Sequence, residues 1–326
     1  MRRILFLIIV AACLMSSCDN GGTEEHLIIM SWNVQNLFDD VDNGTEYREF
    51  DPGLGDWNYD CFNRKASALA DVITSSVAGG PDVVLLQEIE NDNALRHLNE
   101  NCLKASSYSY RLFFPTENSA VGTGVLSRFP VESANSHTVN CGGEVKGRNI
   151  SMFQITLPET GELMVIYINH WKSKLGGAEE TEIYRIAAAE LLSDLIRQRL
   201  DQQSVGILAA GDFNESHDEF SRIGEAYPTA IIAGRLSGSE ELELYNPWSD
   251  SECSGSYSYK SEWETIDQFF LSSEFFDGEG WDYSGFNTTV LEFNSSSEGF
   301  PLGWQASTGA GCSDHFPILL ELSMSG

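Results

Sequence analysis

Polar residues of chemical interest follow four short apolar runs of the sequence. The runs HLIIMSW, DVVLL, LMVIYI and VGILAA lead into Asn33, Glu88, His170 and the Asp212–Asn214 turn. These runs are short, rich in β-branched residues and apolar on both faces, which is typical of strands buried between layers. Two later groups, Asp267 and Asp314–His315, stand at the start of apolar runs instead. In a mixed sheet both arrangements lie on one rim, and the pattern predicts a site there.

These residue types together fit the hydrolysis of a phosphoester. A hard divalent cation, which polarises a phosphoryl oxygen, needs oxygen ligands such as those of Asn33, Glu88 and Asp314. A water must lose a proton, a task that suits Asp212 or a His–Asp pair. The pentavalent phosphate needs neutral or cationic donors, which His170 and Asn214 offer. Each residue alone fits a turn or a structural role at least as well, but the whole set at successive strand ends favours catalysis.

Helical and strand patterns organise the rest of the chain. Apolar residues recur at helical spacing over Asn63–Val77 and Glu179–Leu200, and the stripe of the second helix includes Ile183 but not Arg185. Further strands are predicted at Val121–Ser127, Asn149–Leu157, Thr265–Leu271, Thr288–Phe293 and Phe316–Leu322. Runs of strands with few helices between them favour an α/β sandwich of mixed sheets flanked by helices over a doubly wound fold.

The first residues have the layout of an export signal. Arg2 and Arg3 precede an apolar run that is too short to span a bilayer comfortably. Small residues then precede Cys18, as in the bacterial lipoprotein box in which the cysteine carries the lipid. We therefore predict a signal peptide over residues 1–17, a lipidated Cys18 with a flexible tether over residues 18–26, and one catalytic domain over residues 27–326. The predicted location is a bacterial membrane, at the periplasm or the cell surface, with plain secretion as the alternative.

The chain is strongly acidic. Its net charge of −30 becomes −32 once the two arginines of the signal are removed. Such a surface argues against a protein that reads the sequence of duplex DNA, because phosphate contacts come mainly from Lys and Arg. It is compatible with an enzyme that captures one phosphate at a bound cation.

Five cysteines remain outside the predicted signal and lipidation site: Cys61, Cys102, Cys141, Cys253 and Cys312. In an oxidising compartment this number allows two disulfides and one free thiol, with a connectivity that spacing does not reveal. No Cys-x-x-Cys pair occurs, which argues against a thiolate zinc site.

Six motifs resemble, in order, those of the endonuclease/exonuclease/phosphatase superfamily. They are Ser31–Leu37 (SWNVQNL), Leu86–Asn91 (LQEIEN), Asn169–Lys174 (NHWKSK), Gly211–Asn214 (GDFN), Ile266–Asp267 (ID) and Ser313–Pro317 (SDHFP). The resemblance runs from about Ile28 to Leu322, nearly the whole chain after the signal. It implies a four-layer αββα sandwich and dependence on Mg²⁺, with Mn²⁺ or Ca²⁺ as alternatives. The motifs look most like those of secreted bacterial nucleases.

The resemblance also implies roles for the matched residues. Metal binding falls to Asn33 and Glu88, with Asp314 near the ion, and contact with the scissile phosphate falls to His170. Asp212 and Asn214 would orient the attacking water and the transition state. Asp267 would hold the imidazole of His315 in one tautomer and raise its basicity. The sequence leaves open whether Asp212 or His315 accepts the proton of the water.

Three cationic residues beside these motifs have two interpretations each. Arg128, in GVLSRFP, is either a substrate contact or part of a structural salt bridge. Lys172 and Lys174 are either contacts to the phosphate backbone of the substrate or members of a solvated loop.

The sequence leaves the substrate open. We expect a nonspecific endonuclease that acts on DNA or RNA, because lysines flank His170 and no basic insert for gripping a duplex occurs. A sphingomyelinase-like phospholipid hydrolase or an inositol-phosphate phosphatase would share every core residue. A catalytically inactive binding lipoprotein is disfavoured by the intact set of polar residues. Nucleic acid as substrate and a membrane reached through the lipid are the predicted partners, no protein partner is indicated, and we expect a monomer.

Overall fold

The computed structural model describes residues 25–142, 147–202, 205–238, 242 and 244–324, so the predicted signal peptide and Cys18 lie outside the described residues. The described residues hold fifteen strands: β1 (His26–Leu37), β2 (Val83–Ile89), β3 (Tyr110–Phe114), β4 (Gly122–Ser127), β5 (Val131–His137), β6 (Ile150–Thr156), β7 (Leu163–His170), β8 (Gly206–Asp212), β9 (Ile231–Ile232), β10 (Arg235–Leu236), β11 (Tyr257–Tyr259), β12 (Glu262–Glu264), β13 (Asp267–Leu271), β14 (Trp281–Thr288) and β15 (Ile318–Met324). They also hold four α-helices: α1 (Tyr59–Ser76), α2 (Asp92–His97), α3 (Ala178–Leu200) and α4 (Glu219–Arg222). None of these helices is long and apolar enough to cross a membrane.

Two large mixed sheets form the centre of the fold. One has six strands in the order β14-β15-β1-β2-β4-β3, and the other has five in the order β13-β8-β7-β6-β5. The pairs β1–β2 and β7–β8 are parallel, and the remaining pairs in both sheets are antiparallel. The parallel pairs matter most for function, because they bring strand ends of the same polarity side by side.

Three hydrophobic clusters fill the spaces between the layers. The first joins α1 to the six-stranded sheet, the second joins the two sheets, and the third joins α3 to the five-stranded sheet. Neighbouring residues of β2 divide between clusters: Leu86 packs toward α1 and Leu85 toward the second sheet. This alternation is what a strand buried on both faces requires. The predicted α/β sandwich of two mixed sheets flanked by helices is confirmed.

Two predictions about local structure are wrong. The strand predicted at Thr288–Phe293 lies earlier, because β14 ends at Thr288 and a turn follows. The face of α3 is also different, since Ile183 is 59% exposed whereas Arg185 is fully buried. Burial of Arg185 is possible because its guanidinium donates to Glu182 and to the carbonyl oxygens of Ala178 and Lys172.

None of the disulfides that the sequence allows is formed among the described residues. All five cysteines are free, and they contact groups other than one another. The Cys61 thiol lies 3.3 Å from a guanidinium nitrogen of Arg64, and the Cys312 thiol lies 3.8 Å from the carbonyl oxygen of Ala68. The number of cysteines sets only an upper limit on cross-links, because a disulfide also needs two thiols at bonding distance.

Candidate active site

The polar residues at the strand ends meet at one rim of the sandwich. Within the parallel pairs, Asn33 is in register with the residue before Glu88, and His170 is in register with Asp212. Asp267 lies opposite Asp212 at the start of β13. A cleft of about 790 Å³ is lined by seven of the predicted residues: Asn33, Glu88, His170, Asp212, Asn214, Asp314 and His315. Asp267 lies behind the cleft wall.

A β-bulge directs Glu88 into this cleft. Its φ is +67°, and the register of β2 with β4 shifts between Gln87 and Ile89. A bulge of this kind bends the strand and re-aims a side chain, and left-handed backbone at a residue with a Cβ is unfavourable unless the surroundings hold it. The strained backbone at Glu88 is therefore part of the bulge that places its carboxylate at the rim.

The turn after β8 depends on a glycine. Gly211 has a φ of +138°, and a Cβ at this position would lie 1.9 Å from the carbonyl oxygen of Asn169. Only glycine allows this approach of β8 to β7. Beyond it, the backbone N–H of Asn214 (φ +51°) donates to Oδ1 of Asp212 at 2.8 Å. The turn thus fixes the orientation of the Asp212 carboxylate.

His315 and Asp267 form a buried pair. Nδ1 of His315 lies 2.7 Å from Oδ2 of Asp267, and the Ser256 hydroxyl donates to the same oxygen at 2.6 Å. Burial works against a charge on the imidazole, but the carboxylates of Asp267, Asp314 and Asp212 outweigh it and raise the pKa of His315 to about 10. His315 is therefore a cation at neutral pH.

The side-chain amide of Asn33 connects the carboxylates of Glu88 and Asp212. Nδ2 of Asn33 donates to Oδ2 of Asp212 at 3.0 Å and to Oε1 of Glu88 at 3.3 Å. Nε2 of His170 lies 3.6 Å from the same Glu88 oxygen and 3.7 Å from the same Asp212 oxygen. Four predicted site residues thus converge within a few ångströms.

The pKa values of these groups are shifted by burial and by one another. Burial, with the nearby charge of Asp267, raises the pKa of Asp212 above its usual range. Burial also lowers the pKa of His170 well below its usual range, and Arg148 and His315 act in the same direction. At neutral pH His170 is therefore an uncharged hydrogen-bond donor, whereas Asp212 has a basicity suited to accepting a proton from water.

The carboxylates fit a hard divalent cation. Burial and the charge of Asp314 raise the pKa of Glu88, and the hydrogen bond to Glu88 from Asn33 is long. Two carboxylates that repel each other at a cleft supply the oxygen ligands that Mg²⁺ or Ca²⁺ prefers. Oδ1 of Asn33 accepts the N–H of Gln35 at 3.0 Å, so Asn33 orients the carboxylates here and its direct ligation stays a prediction. Ligand atoms of Asp212, Asp267 and His315 also lie within 4.8 Å of one another.

Arg128 is a structural residue, which corrects the interpretation of it as a substrate contact. Its guanidinium binds Asp82 at 2.8 Å and donates to the carbonyl oxygens of Ser106 and Gly79. Asp82 precedes β2, whereas Glu88 lies near the end of that strand, about 20 Å away for six residues of extended chain. Arg128 therefore lies at the opposite rim of the sheet.

The two lysines beside His170 have different surroundings. Nζ of Lys174 lies 2.8 Å from Glu219 and 3.3 Å from Glu264, so its charge is already paired inside the cleft. Lys172 is half-buried and is not among the residues that line the cleft, and its carbonyl oxygen accepts from Arg185. Neither lysine is placed as an unpaired contact for the scissile phosphate.

Sequence reasoning missed Arg148. This residue lines the cleft, and its guanidinium donates to the carbonyl oxygen of Trp171 at 2.9 Å. Its positive charge acts to lower the pKa of both Glu88 and His170. Arg148 comes just before β6 without an apolar run in front of it, so the pattern that found the other residues gives no signal here.

Lys65 was also missed. It is fully buried in α1, its Nζ donates to the carbonyl oxygen of Gln35 at 2.6 Å, and burial lowers its pKa to about 7. Gln35 and Asn36 both have positive φ, and the β1–β2 register shifts at this point. Lys65 therefore supports the strained turn that directly follows Asn33. A lysine beside alanine on the apolar face of the predicted helix was the available signal.

The fold is a four-layer sandwich, and its cleft holds the carboxylates and histidines that hydrolysis of a phosphoester requires. The sequence matches the model of the Endonuclease/Exonuclease/phosphatase family over residues 28–324, and the chain belongs to this family. Members of the family are generally phosphodiester hydrolases and typically use a divalent metal.

Comparisons with known proteins place the chain among distant relatives. Truncated TDP2 of Caenorhabditis elegans is 14% identical, with a TM-score of 0.58 over 91% of this chain and 97% of that one. The human Nocturnin catalytic domain is 16% identical, with a TM-score of 0.57 over 93% and 97%. A family protein of Bacteroides thetaiotaomicron is 14% identical, with a TM-score of 0.57 over 92% and 95%. No curated protein matches the sequence. At these identities the likeness establishes the fold and leaves the substrate to the site itself.

Proposed function

We propose that the protein is a divalent-metal-dependent phosphodiester hydrolase that cleaves nucleic acid. The observation that carries the proposal is the amide of Asn33, which bonds to Glu88 and Asp212 at once. It brings the carboxylate suited to a cation next to the carboxylate suited to a proton transfer, inside one cleft. Hydrolysis of a phosphodiester needs both within reach of the same phosphorus atom.

The residues divide the reaction as follows. Glu88, with Asn33 and Asp314 beside it, would hold a divalent cation, and the bound ion would supply positive charge for the pentavalent phosphate. Asp212 accepts a proton from the attacking water, whose oxygen bonds to phosphorus as the bond to the leaving oxygen breaks. The leaving oxygen keeps the electron pair of that bond and takes up a proton from solvent. His315 already holds its proton against Asp267, so it serves as a charged donor to the phosphate rather than as the base.

Two features support a nucleic-acid substrate with weak ground-state binding. Arg148 is beside Glu88 and His170 in the cleft and offers a cation for a phosphate oxygen. The chain as a whole is strongly acidic, at −30, which disfavours extended electrostatic contact with a duplex. One structural neighbour, TDP2 of D. rerio, has been crystallised with a single-strand DNA product. Apparent affinity should fall with salt, but with a shallow slope.

The test is a substrate panel with the purified protein, with and without Mg²⁺ after metal stripping. The panel contains single-strand DNA, duplex DNA, RNA, sphingomyelin, inositol phosphates and nucleotides. Metal-dependent cleavage of DNA or RNA with little sequence preference is the expected result. Rapid turnover of a phospholipid or inositol phosphate, with nucleic acid left uncut, would contradict the nuclease proposal and favour a phospholipid or inositol-phosphate hydrolase.

Export and lipid attachment form a separate part of the proposal. The apolar run behind Arg2 and Arg3 and the small residues before Cys18 support a lipid anchor on a bacterial membrane. Cells grown with labelled fatty acid should label the mature protein, and Cys18→Ala should abolish the label. A mature, unlabelled protein that begins elsewhere would leave export standing and remove the anchor.

A further inference from the structure

A tight β-hairpin packs against His315. β11 and β12 pair from Tyr257 with Glu264 to Tyr259 with Glu262, around a two-residue turn at Lys260 and Ser261. Both turn residues have positive φ, +51° and +66°, as in the type I′ turn that matches the twist of a hairpin. The backbone of Tyr257 forms a β-bridge with His315, and the two rings lie 4.7 Å apart. The hairpin is therefore fixed directly to the catalytic centre.

Tyr257 and Tyr259 form one wall of the cleft, which we call the tyrosine wall. Residues two apart on a strand point to the same side, about 6.6 Å apart, and both side chains line the cleft. Tyr257 covers the imidazole of His315, whereas Tyr259 is 54% exposed. Nζ of Lys260 lies 4.9 Å from the centroid of the Tyr259 ring. The wall thus extends outward from the catalytic centre and ends in an exposed aromatic ring.

Apolar residues also line the cleft beside the tyrosine wall, and the charged side chains there are paired with one another. Leu175 is 82% exposed at the mouth of the cleft, and Tyr227 lines the cleft with it. Lys174 lies between Glu219 and Glu264, which joins the Leu175 loop to the hairpin and uses its charge. This flank therefore suits an uncharged, planar group better than a second phosphate. The ion pairs of Lys174 with Glu219 and Glu264 also disfavour an acyl chain, which needs a continuous apolar lining.

We propose that the tyrosine wall is a stacking platform for a nucleobase next to the scissile phosphate. This inference rests on the proposed function and names the part of the substrate that this flank recognises. Aromatic rings stack on every base, since each base has a π-face, so the platform gives affinity without sequence preference. Bases must be unstacked to reach it, and the enzyme therefore prefers single strands or frayed ends to an intact duplex.

The experiment compares two polymers with identical phosphates. One is a short thymidine oligonucleotide, and the other is a chain of the same length in which each nucleotide is an abasic tetrahydrofuran residue. The full protein should have a kcat/KM roughly 10-fold to 100-fold higher on the thymidine chain, the range expected for one to two stacked bases. Tyr259→Ala should bring the ratio of the two kcat/KM values close to one, and Tyr259→Trp should preserve it.

A matched control separates the platform from a general loss of stability. Tyr110 is also partly exposed, at 37%, and it pairs with Ser127 at the far end of the six-stranded sheet. Tyr110→Ala should keep the wild-type ratio. Equal rates of the unmodified protein on both polymers, or an unchanged ratio in Tyr259→Ala, would overturn the platform while leaving the hydrolase standing. Failure to cut either polymer would instead count against the proposed function itself.

Discussion

Nδ1 of His315 lies 2.7 Å from Oδ2 of Asp267, inside the protein and at the edge of the cleft. The carboxylate also accepts the Ser256 hydroxyl, so its position is fixed from two sides. A buried carboxylate at this distance stabilises the charged imidazole and determines which ring nitrogen faces the cleft. The pair therefore acts as one unit, and loss of either side chain should impair catalysis in the same way.

The first prediction concerns this coupling. His315→Ala and Asp267→Ala should each lower kcat on the order of 10²-fold or more, and the double variant should be little worse than the worse single variant. The measurement is kcat on a fixed phosphodiester substrate, with thermal unfolding to verify that each variant folds. Losses that multiply in the double variant would show that the two residues act independently.

The second prediction concerns pH. Asp212, whose pKa burial raises, must be deprotonated to accept a proton, so kcat/KM should rise as pH passes through that pKa. His315, with a pKa near 10, must keep its proton, so activity should fall above that pH. Asp267→Asn removes a charge that raises the pKa of His315 and should move the alkaline fall to lower pH. The check is a pH profile of kcat/KM, with exposed Asp60→Asn as the control for charge alone; an alkaline limb that stays in place would contradict it.

The third prediction concerns the metal. Removal of divalent metal by a chelator should abolish turnover, and Glu88→Gln should weaken metal binding because a neutral amide replaces a charged oxygen ligand. Mn²⁺ titration followed by calorimetry gives the affinity independently of activity. Glu132→Gln, an exposed residue of β5 at the far rim, should bind metal like the unmodified protein. Full turnover of stripped enzyme in excess chelator would exclude the metal mechanism.

The fourth prediction separates two arginines. Arg148→Met should raise KM roughly 10-fold, the effect of losing one charged hydrogen bond to a phosphate, with little dependence on base sequence. Arg128→Met should leave KM unchanged and lower the free energy of unfolding by about 1 to 3 kcal/mol, because Asp82 loses its cationic partner. Steady-state kinetics and chemical denaturation distinguish the two. An increase of KM in the Arg128 variant would show that Arg128 contacts the substrate after all.

Residues on the six motifs were predictable because each motif joins a buried strand to polar residues that come directly before or after it. The apolar run predicts the strand, and its last residue predicts the position at the rim, as for Glu88 and Asp212. The bulge that gives Glu88 a φ of +67° was not predictable, because it depends on pairing with β4 rather than on the run itself.

The sequence by itself determined the layered α/β fold, the family and the set of polar residues at the rim, since these follow from local patterns of apolar and polar residues. Tertiary structure alone decided what the charged side chains do. Arg128 pairs with a residue 46 positions away, Lys174 with one 90 positions away, and Arg148 enters the cleft from a segment without a motif. A charge acts on whatever lies within a few ångströms, and only the folded chain sets those distances.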